Sequence, residues 1–385
     1  MRYISFGECN KYLFYPLIGG IFNFIFNAIL YLIPEKAEIN KHPFVLGMNA
    51  GLGMSLAIIP ILYTHYKFSK IHKTENLKAT KALENKRNNF KIKLEKYLII
   101  ILCAFLDFTQ KILIFVFSKN LTNNVWIFNI IFLNIFTSML YKNPLYKHQY
   151  ISSGIMILGG IGLNIINLYY LKSNEVSLLL LSIFIEIIYS LAIVLAKFGM
   201  DYRFCSPFEI TFYEGIFALI INIIFLLIST YIPLKKNFKY TQLLKISEDD
   251  NGKKYLDNII LYFKDIDFKE VLFFIVVMAS RALFNLFSHF TIKHFTSSHV
   301  ILLLIMGEIS LEWGEKSTLD IVSYSIIFII EFLMLLIFCE IIELNFWGLS
   351  DNTRKNIKKR AGEVDFEEFE SNESMEIDDG MELTS

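Results

Sequence analysis

The chain is poor in the features that build stapled or metal-held domains. Seven prolines and four cysteines are spread over 385 residues, and Cys9, Cys103, Cys205 and Cys339 stand too far apart to suggest a disulfide framework or a thiolate metal site. Neither sign of charge is in excess. Lys+Arg and Asp+Glu are 37 each, with pI about 7.0, which argues against a nucleic-acid partner because that would call for a basic domain. Signatures of chemistry are missing too. There is no HExxH, no Walker A loop, no nucleophile elbow and no acyltransferase-like His–Asp spacing, and the seven His are dispersed. The sequence therefore predicts neither an enzyme nor an ATP-driven pump, and it calls for no cofactor. Apolar side chains are what it has in surplus. They make up 54% of the chain, mean hydropathy is +0.47, and 37 Phe with 20 Tyr exceed what a soluble core needs, so the composition asks for a lipid-embedded bundle.

About 20 apolar residues cross the hydrocarbon as a helix. By that ruler ten spans are expected: 12–33, 43–65, 97–118, 124–141, 150–171, 176–199, 209–232, 270–290, 296–313 and 319–341. The fourth and ninth are short and carry polar residues. The first reads as a retained helix rather than a cleaved signal, because its apolar run is long, no small-x-small site follows, and another span begins soon after. The fold class is thus all-α: a polytopic membrane bundle of about ten transmembrane helices.

Polar segments orient it. Residues 66–96 carry ten Lys/Arg against three Glu, and residues 354–360 are basic again; eight spans separate the two, so both face the cytosol under the positive-inside rule. Both termini then lie in the cytosol, in an endomembrane or the plasma membrane. The 233–268 loop mixes seven Lys with six acids, reads as solvated, and falls on the opposite face. The tail at 346–385 turns from basic to acidic, with ten carboxylates from Glu363 to Glu382, a pattern that reads as disordered. Asn120-Leu121-Thr122 is a sequon in a very short loop and is expected to be unused.

Ten spans divide into two fives. A shift of 174 places Lys119 on Lys293, Thr122 on Thr296 and Lys142 on Lys316; a shift of 164 places Pro43-Phe44 on Pro207-Phe208 and Gly51 on Gly215. An odd number of spans per repeat makes the halves insert upside down, giving a five-plus-five inverted repeat with residues 1–171 as the first and 172–345 as the second.

Several residues in the second half carry a family resemblance. Lys197 ends span six, Ser206-Pro207-Phe208 leads to Tyr213-Glu214-Gly215, Asn285 follows in span eight, and Ile292-Lys293-His294-Phe295-Thr296-Ser297-Ser298 precedes span nine. With these the chain resembles the drug/metabolite transporter superfamily, in its EamA-like and nucleotide-sugar-transporter branch, solute carrier family thirty-five. The resemblance covers roughly 12–345 and is most specific over about 180–320. It implies an alternating-access carrier. Where related ninth helices open with a basic residue and carry further charge, this one has His299, an apolar run through Met306, then Glu308. That departure leaves the substrate open.

Charges inside apolar spans are costly and need a partner or a cavity. Asp107 and Lys111 share a face of span three at i and i+4; Arg281 and Asn285 share one in span eight, with Ser288 and His289 a turn further. The differences 281 − 107 and 285 − 111 are both 174, so the pairs occupy equivalent repeat positions. The bland alternative is an internal Asp–Lys pair and a snorkelling Arg. Asn134 matches Glu308 by the same shift, and Glu186 and Glu214 are further deep acids, with Gly215 letting a backbone or ligand approach. Glu312 and Glu315 are assigned to the membrane surface, Glu331, Glu340 and Glu343 to structural roles. Asn23 and Asn27 either line the path or glue helices, and Gly154, Gly159, Gly160 and Gly162 read as close helix packing.

The candidate solute-binding residues are therefore Asp107, Lys111, Asn134, Glu186, Glu214, Arg281, Asn285, His299 and Glu308. Arg281 would hold a negative group, Asn285 and Asn134 would donate hydrogen bonds, and Asp107 or Glu308 would couple protons or repel the wrong solute. The expected partners are lipid, a small polar or anionic solute and protons as a coupling ion, and a homodimer is compatible. A non-transporting scaffold or receptor acting through its cytosolic tail is the alternative from a different class.

Overall fold

The computed structural model of the chain describes residues 4–6, 11–28, 41–72, 90–117, 127–141, 146–170, 176–234, 246–248, 252–308, 318–345, 348–349, 353 and 356. The fold is mostly helical. In chain order it runs β1 (Ile4–Phe6), a 3-10 turn at Lys11–Leu13, α1 (Phe14–Asn27), α2 (Pro43–Ser55), α3 (Ile58–His72), α4 (Phe90–Phe117), α5 (Ile127–Tyr141), α6 (Lys147–Tyr170), α7 (Val176–Arg203) and α8 (Pro207–Tyr231). A short hairpin follows, β2 (Ser247–Glu248) with β3 (Lys254–Tyr255), then α9 (Ile259–Asp265), α10 (Phe268–His294), a 3-10 turn at Ser297–Val300, α11 (Ile301–Glu308), α12 (Thr318–Phe338) and β4 (Ile342–Leu344).

Five segments among the described residues are long and apolar enough to cross a membrane: Pro43–Thr64, Phe90–Ile114, Leu180–Arg203, Pro207–Tyr231 and Phe268–His294, with shorter apolar helices at Phe14–Asn27, Phe128–Tyr141 and Ile329–Phe338. Their outward surfaces are as apolar as a core. On α1, Phe14, Leu17, Ile21 and Phe24 recur at helical spacing and stay 38–48% exposed, while Asn23 on the opposite side is buried. On α8, Ile220, Ile223, Ile224, Leu227 and Ile228 do the same, while Glu214 and Asn222 point inward. Water would not tolerate such a surface, and lipid would. The chain is a membrane protein.

Local chemistry sets the ends. Ser206 caps α8 in a capping box with Glu209, and Pro207 fills the first position, where a missing N–H costs nothing. Asp267 accepts from the Glu270 N–H at the start of α10. The break between α2 and α3 has its cause in Pro60. Having no N–H, Pro60 leaves the Leu56 carbonyl without its i+4 donor and crowds it, so that carbonyl turns to the Ile59 N–H at 3.0 Å and the helix tightens through Leu56 and Ala57.

The helices pack in a definite pattern. α2 runs along α8, and α6 along α12. α4 contacts α7 and α8, as α10 contacts α1 and α2; α5 lies on α7, as α11 lies on α1; α2 also meets α4, as α8 meets α10. Glycine permits the tightest of these approaches. The α2 and α8 backbones meet at Gly51 and Gly215, where a side chain on either would run into the other helix.

β1 pairs antiparallel with β4, Ile4 opposite Leu344, so the segments before α1 and after α12 share one face of the bundle. That face also holds Lys96–Glu209 (2.8 Å), Glu95–Arg203 (2.7 Å) and the stack of His294 on Tyr12, 4.1 Å between ring centres. Cys205, between α7 and α8, has its thiol pushed up to about 11, first by burial, so it stays a protonated, inert group.

Several expectations change here. The third span does not begin at 97: helix α4 starts at Phe90 and takes Lys91, Lys93 and Lys96 out of the basic loop, because Lys is a good helix former and Lys96 finds Glu209. The 233–268 segment is not simply solvated. Over its described residues it folds onto the face opposite the β1–β4 pair, with Asp257 fully buried and Tyr262 2% exposed. Asp257 accepts from His42 Nδ1 (2.6 Å) and from the Phe44 and Val45 N–H groups (2.7 and 3.1 Å), capping α2 from the other half of the chain. Gly154 and Gly162 are not packing contacts, since a side chain at either would meet nothing within 4 Å. Asn23 does act as glue, its amide donating to the Leu303 carbonyl at 3.0 Å. The 73–89 part of the basic loop, the sequon at 120–122, Glu312, Glu315 and nearly all of the 346–385 tail lie outside the described residues.

Candidate functional site

Five helices bring polar groups together inside the bundle. On α4, Asp107 and Lys111 are one turn apart and form a buried ion pair, 6% and 4% exposed. Lys111 also points its Nζ at the Met54 sulfur, 3.4 Å away, beside the break that ends α2. The amide of Asn285 on α10 reaches the same sulfur. Met54 thus joins the two polar faces that the sequence placed on separate helices. A thioether is a weak acceptor, so it separates the two donors without binding either strongly.

One turn from Asn285, Arg281 is buried and its guanidinium lies 5.0 Å from the ring centres of both Phe26 and Phe284. Rings hold its flat faces by cation–π attraction and leave the edge, where the N–H donors lie, for polar groups. Arg281 and Glu214 both act electrostatically on Lys111. Tyr189 on α7 shares a hydrogen bond with Ser288 and feels Arg281, Asp107 and Glu186. Toward the β1–β4 face, Glu214 Oε1 on α8 is 3.5 Å from His289 Nε2, and His289 Nδ1 is 2.8 Å from the Thr211 hydroxyl.

Apolar clusters flank this layer on both sides. One gathers Phe26, Phe44, Val45, Leu46, Val116, Leu226, Tyr262 and Val277 toward the hairpin end. Its Tyr262, on α9, has a hydroxyl pushed up to about 12, first by burial, and remains neutral. The larger one runs from Leu13 and Ile100 through Ile193 to Leu303 and Phe338. Charges held between two dry layers interact far more strongly than they would in water.

Of the residues singled out from sequence, Asp107, Lys111, Glu214, Arg281 and Asn285 converge in this cluster. Glu186 lies at its edge, on the α5–α7 contact, where it accepts from the Asn129 amide while Asn129 accepts from Ser190. Asn134 lies elsewhere: its Oδ1 accepts from Ser298 at 2.7 Å and its amide faces Ser153 at 3.4 Å. His299 is bonded to Thr296 at 2.8 Å and stacked on Phe295. Glu308 ends α11, and its side chain is outside the described residues. Met54, Tyr189, Thr211 and Asn129 were not singled out. Thr211 carried a faint signal, standing one turn before Glu214 on the same face; a methionine or tyrosine in an apolar run carries none.

No group of three or more His, Cys, Asp and Glu side chains that could hold a metal ion occurs among the described residues. Compared with known proteins, the chain matches no family model and has no significant match among curated proteins.

Proposed function

We propose that the chain is a secondary-active membrane carrier of the drug/metabolite type, built as a five-plus-five inverted repeat, which moves a small polar or anionic organic solute by alternating access. The observation that carries the proposal is the convergence of Asp107–Lys111 and Arg281–Asn285 on Met54, from equivalent positions of two halves that resemble each other weakly in sequence. Carriers of this plan hold their ligand near the bilayer midplane, between the repeats and beside broken helices. The break at Leu56–Ala57 is just such a neighbour.

Helix pairing supports the repeat. Exchanging α1 with α7, α2 with α8, α4 with α10, α5 with α11 and α6 with α12 converts each pairing described above into another of the same set, or into itself. Gly51 and Gly215, equivalent by the 164 shift, meet each other, as residues on a pseudo-twofold axis would. Strand β1 beside β4 supports an even number of spans with both ends on one side, and the basic segments make that side the cytosol.

Arg281 is the group that would grip an anion. A guanidinium at mid-helix opposes insertion by about 2.5–3.5 kcal/mol unless its surroundings offset the cost, which makes a buried arginine there a candidate for function. Lysine retains the charge but loses the planar fork that binds carboxylate or phosphate at two points. The test is solute uptake by purified protein in liposomes, screened over nucleotide sugars, sugar phosphates, amino acids and drugs. Arg281→Lys and Arg281→Ala should insert and fold yet transport poorly, and deletion of the tail should leave uptake unchanged. Parent-level transport by both Arg281 variants would move the site away from this cluster; uptake that depends on the tail and not on the cluster would favour a scaffold.

A further inference from the structure

The contact between Glu214 and His289 is incomplete by one proton. Thr211 decides this. Its hydroxyl proton is committed to the Pro207 carbonyl, 2.8 Å away and one turn back on α8. Its oxygen can therefore only accept from His289 Nδ1, also at 2.8 Å. A neutral His289 then carries its proton on Nδ1 and presents the bare lone pair of Nε2 to Glu214 Oε1 at 3.5 Å. An ionised carboxylate has only lone pairs to offer in return. Two acceptors do not bond, so the contact is attractive only when a further proton sits on Nε2 or on the carboxyl. All three groups are buried, at 4% for Glu214, 8% for His289 and 1% for Thr211, so water does not relieve the mismatch.

We infer that Glu214 and His289 jointly hold one exchangeable proton, and that loading it is coupled to the binding of an organic anion at the neighbouring Arg281 cluster. The second half rests on the carrier reading; the first does not.

Charge arithmetic gives the coupling its direction. Without the proton, Asp107 and Glu214 balance Lys111 and Arg281, and the cluster is neutral. With it the cluster carries one positive charge and suits a solute with one negative charge. Loaded proton and bound anion favour each other, and each is disfavoured alone in a dry site. Other titratable groups also face the pair. Helix α4 adds the buried Cys103 thiol, α7 adds Tyr189 and, behind it, Glu186 on Asn129. Glu209 is paired with Lys96 at the end of α8, Lys293 and His294 stand at the end of α10 beside Tyr12 and Tyr15 of α1, and α2 contributes no titratable group.

Two measurements on the purified full-length protein in lipid separate the two halves of the inference. Infrared difference spectra between pH 5 and pH 8 report carboxyl and imidazole protonation without any solute. A transition should be present in the parent and in Glu186→Gln, and absent from both Glu214→Gln and His289→Gln, because neither group holds the proton without the other. Thr211→Val keeps the shape, removes the acceptor, and should displace the transition; this variant decides the matter where a Gln variant does not fold. Persistence of the parent transition in either Glu214→Gln or His289→Gln, or an unmoved transition in Thr211→Val, overturns the shared proton. In proteoliposomes with an acid exterior, labelled lactate, glutamate and glucose 6-phosphate are the probes. The parent should accumulate at least one of them uphill, by up to about tenfold per pH unit for one proton per solute. Glu214→Gln and His289→Gln should take it up at a rate that no longer responds to the gradient. Gradient-driven accumulation that survives in both Gln variants overturns the coupling and leaves the carrier standing. No accumulation of any probe by a parent that shows the infrared transition overturns the coupling to these anions and leaves the proton site standing.

Discussion

Replacing Gly215 by alanine adds one carbon where two helices touch. That carbon would sit 2.5 Å from the Ser55 amide nitrogen and 2.7 Å from Met54 Cβ, distances at which something must move. What it meets is backbone and a first side-chain carbon, so no flexible tip can swing aside and α2 must separate from α8. Overpacking of this kind costs about 1–3 kcal/mol, and the rigidity of the obstacle puts this case near the top of that range. Against it stands the intrinsic gain of alanine over glycine in a helix, about 1 kcal/mol. The net expectation is destabilisation of about 1–2 kcal/mol, a fall of a few degrees in the thermal midpoint of the detergent-solubilised protein. Gly51→Ala faces the Leu219 nitrogen at 2.7 Å and should behave alike. Because both changes push the same two helices apart, the double variant should cost less than the sum. Gly154→Ala supplies the control. Nothing lies within 4 Å of its new carbon, so the same substitution should raise the midpoint. Equal shifts at 154 and 215 would refute the close approach of α2 and α8 altogether.

Asp257→Ala removes acceptors from His42 and from two helix N–H groups, and should lower stability by about 2–4 kcal/mol, with Asp257→Asn in between; thermal unfolding decides. Neutralising either member of the Asp107–Lys111 pair alone should cost about 3–5 kcal/mol because the other charge is left buried, whereas Asp107→Leu with Lys111→Met together should be close to neutral for stability while abolishing the proposed transport. A double-mutant cycle read by thermal unfolding, with uptake measured in parallel, separates the two effects. Tags at residue 80 and after residue 385 should report the cytosol and one at residue 250 the opposite side; finding 80 and 250 together would sink the alternating ten-span topology.

The central cluster was legible where its residues stood on one helical face. Arg281, Asn285 and His289 recur every four residues in an apolar run, and burying them together follows from helical geometry alone. Asp107 and Lys111 announced themselves by the same spacing, and Glu214 by its place next to a glycine. What escaped notice depends on contacts across the fold. Met54 is an ordinary apolar residue until an ammonium donor from α4 and an amide donor from α10 arrive at its sulfur. Asp257 looked like one charge among many in a polar loop; its work as the cap of α2 depends on a helix more than two hundred residues earlier. Gly154 and Gly162 misled for the opposite reason, since a glycine in a sequence does not say whether its missing side chain faces a neighbour or open space.

The β1–β4 pair links residues made at very different times. Ile4 leaves the ribosome about 340 residues before Leu344, an interval of about 20–70 s at ordinary rates of synthesis. During that time β1 is an edge without a partner, and edges invite wrong pairings. At three residues it is too short to hold a stranger. It pairs only when β4 is delivered to its side, which requires the helices between them to have taken their places. The small sheet is therefore a late event in folding, and protection of its amides from exchange would mark the moment when the bundle closes.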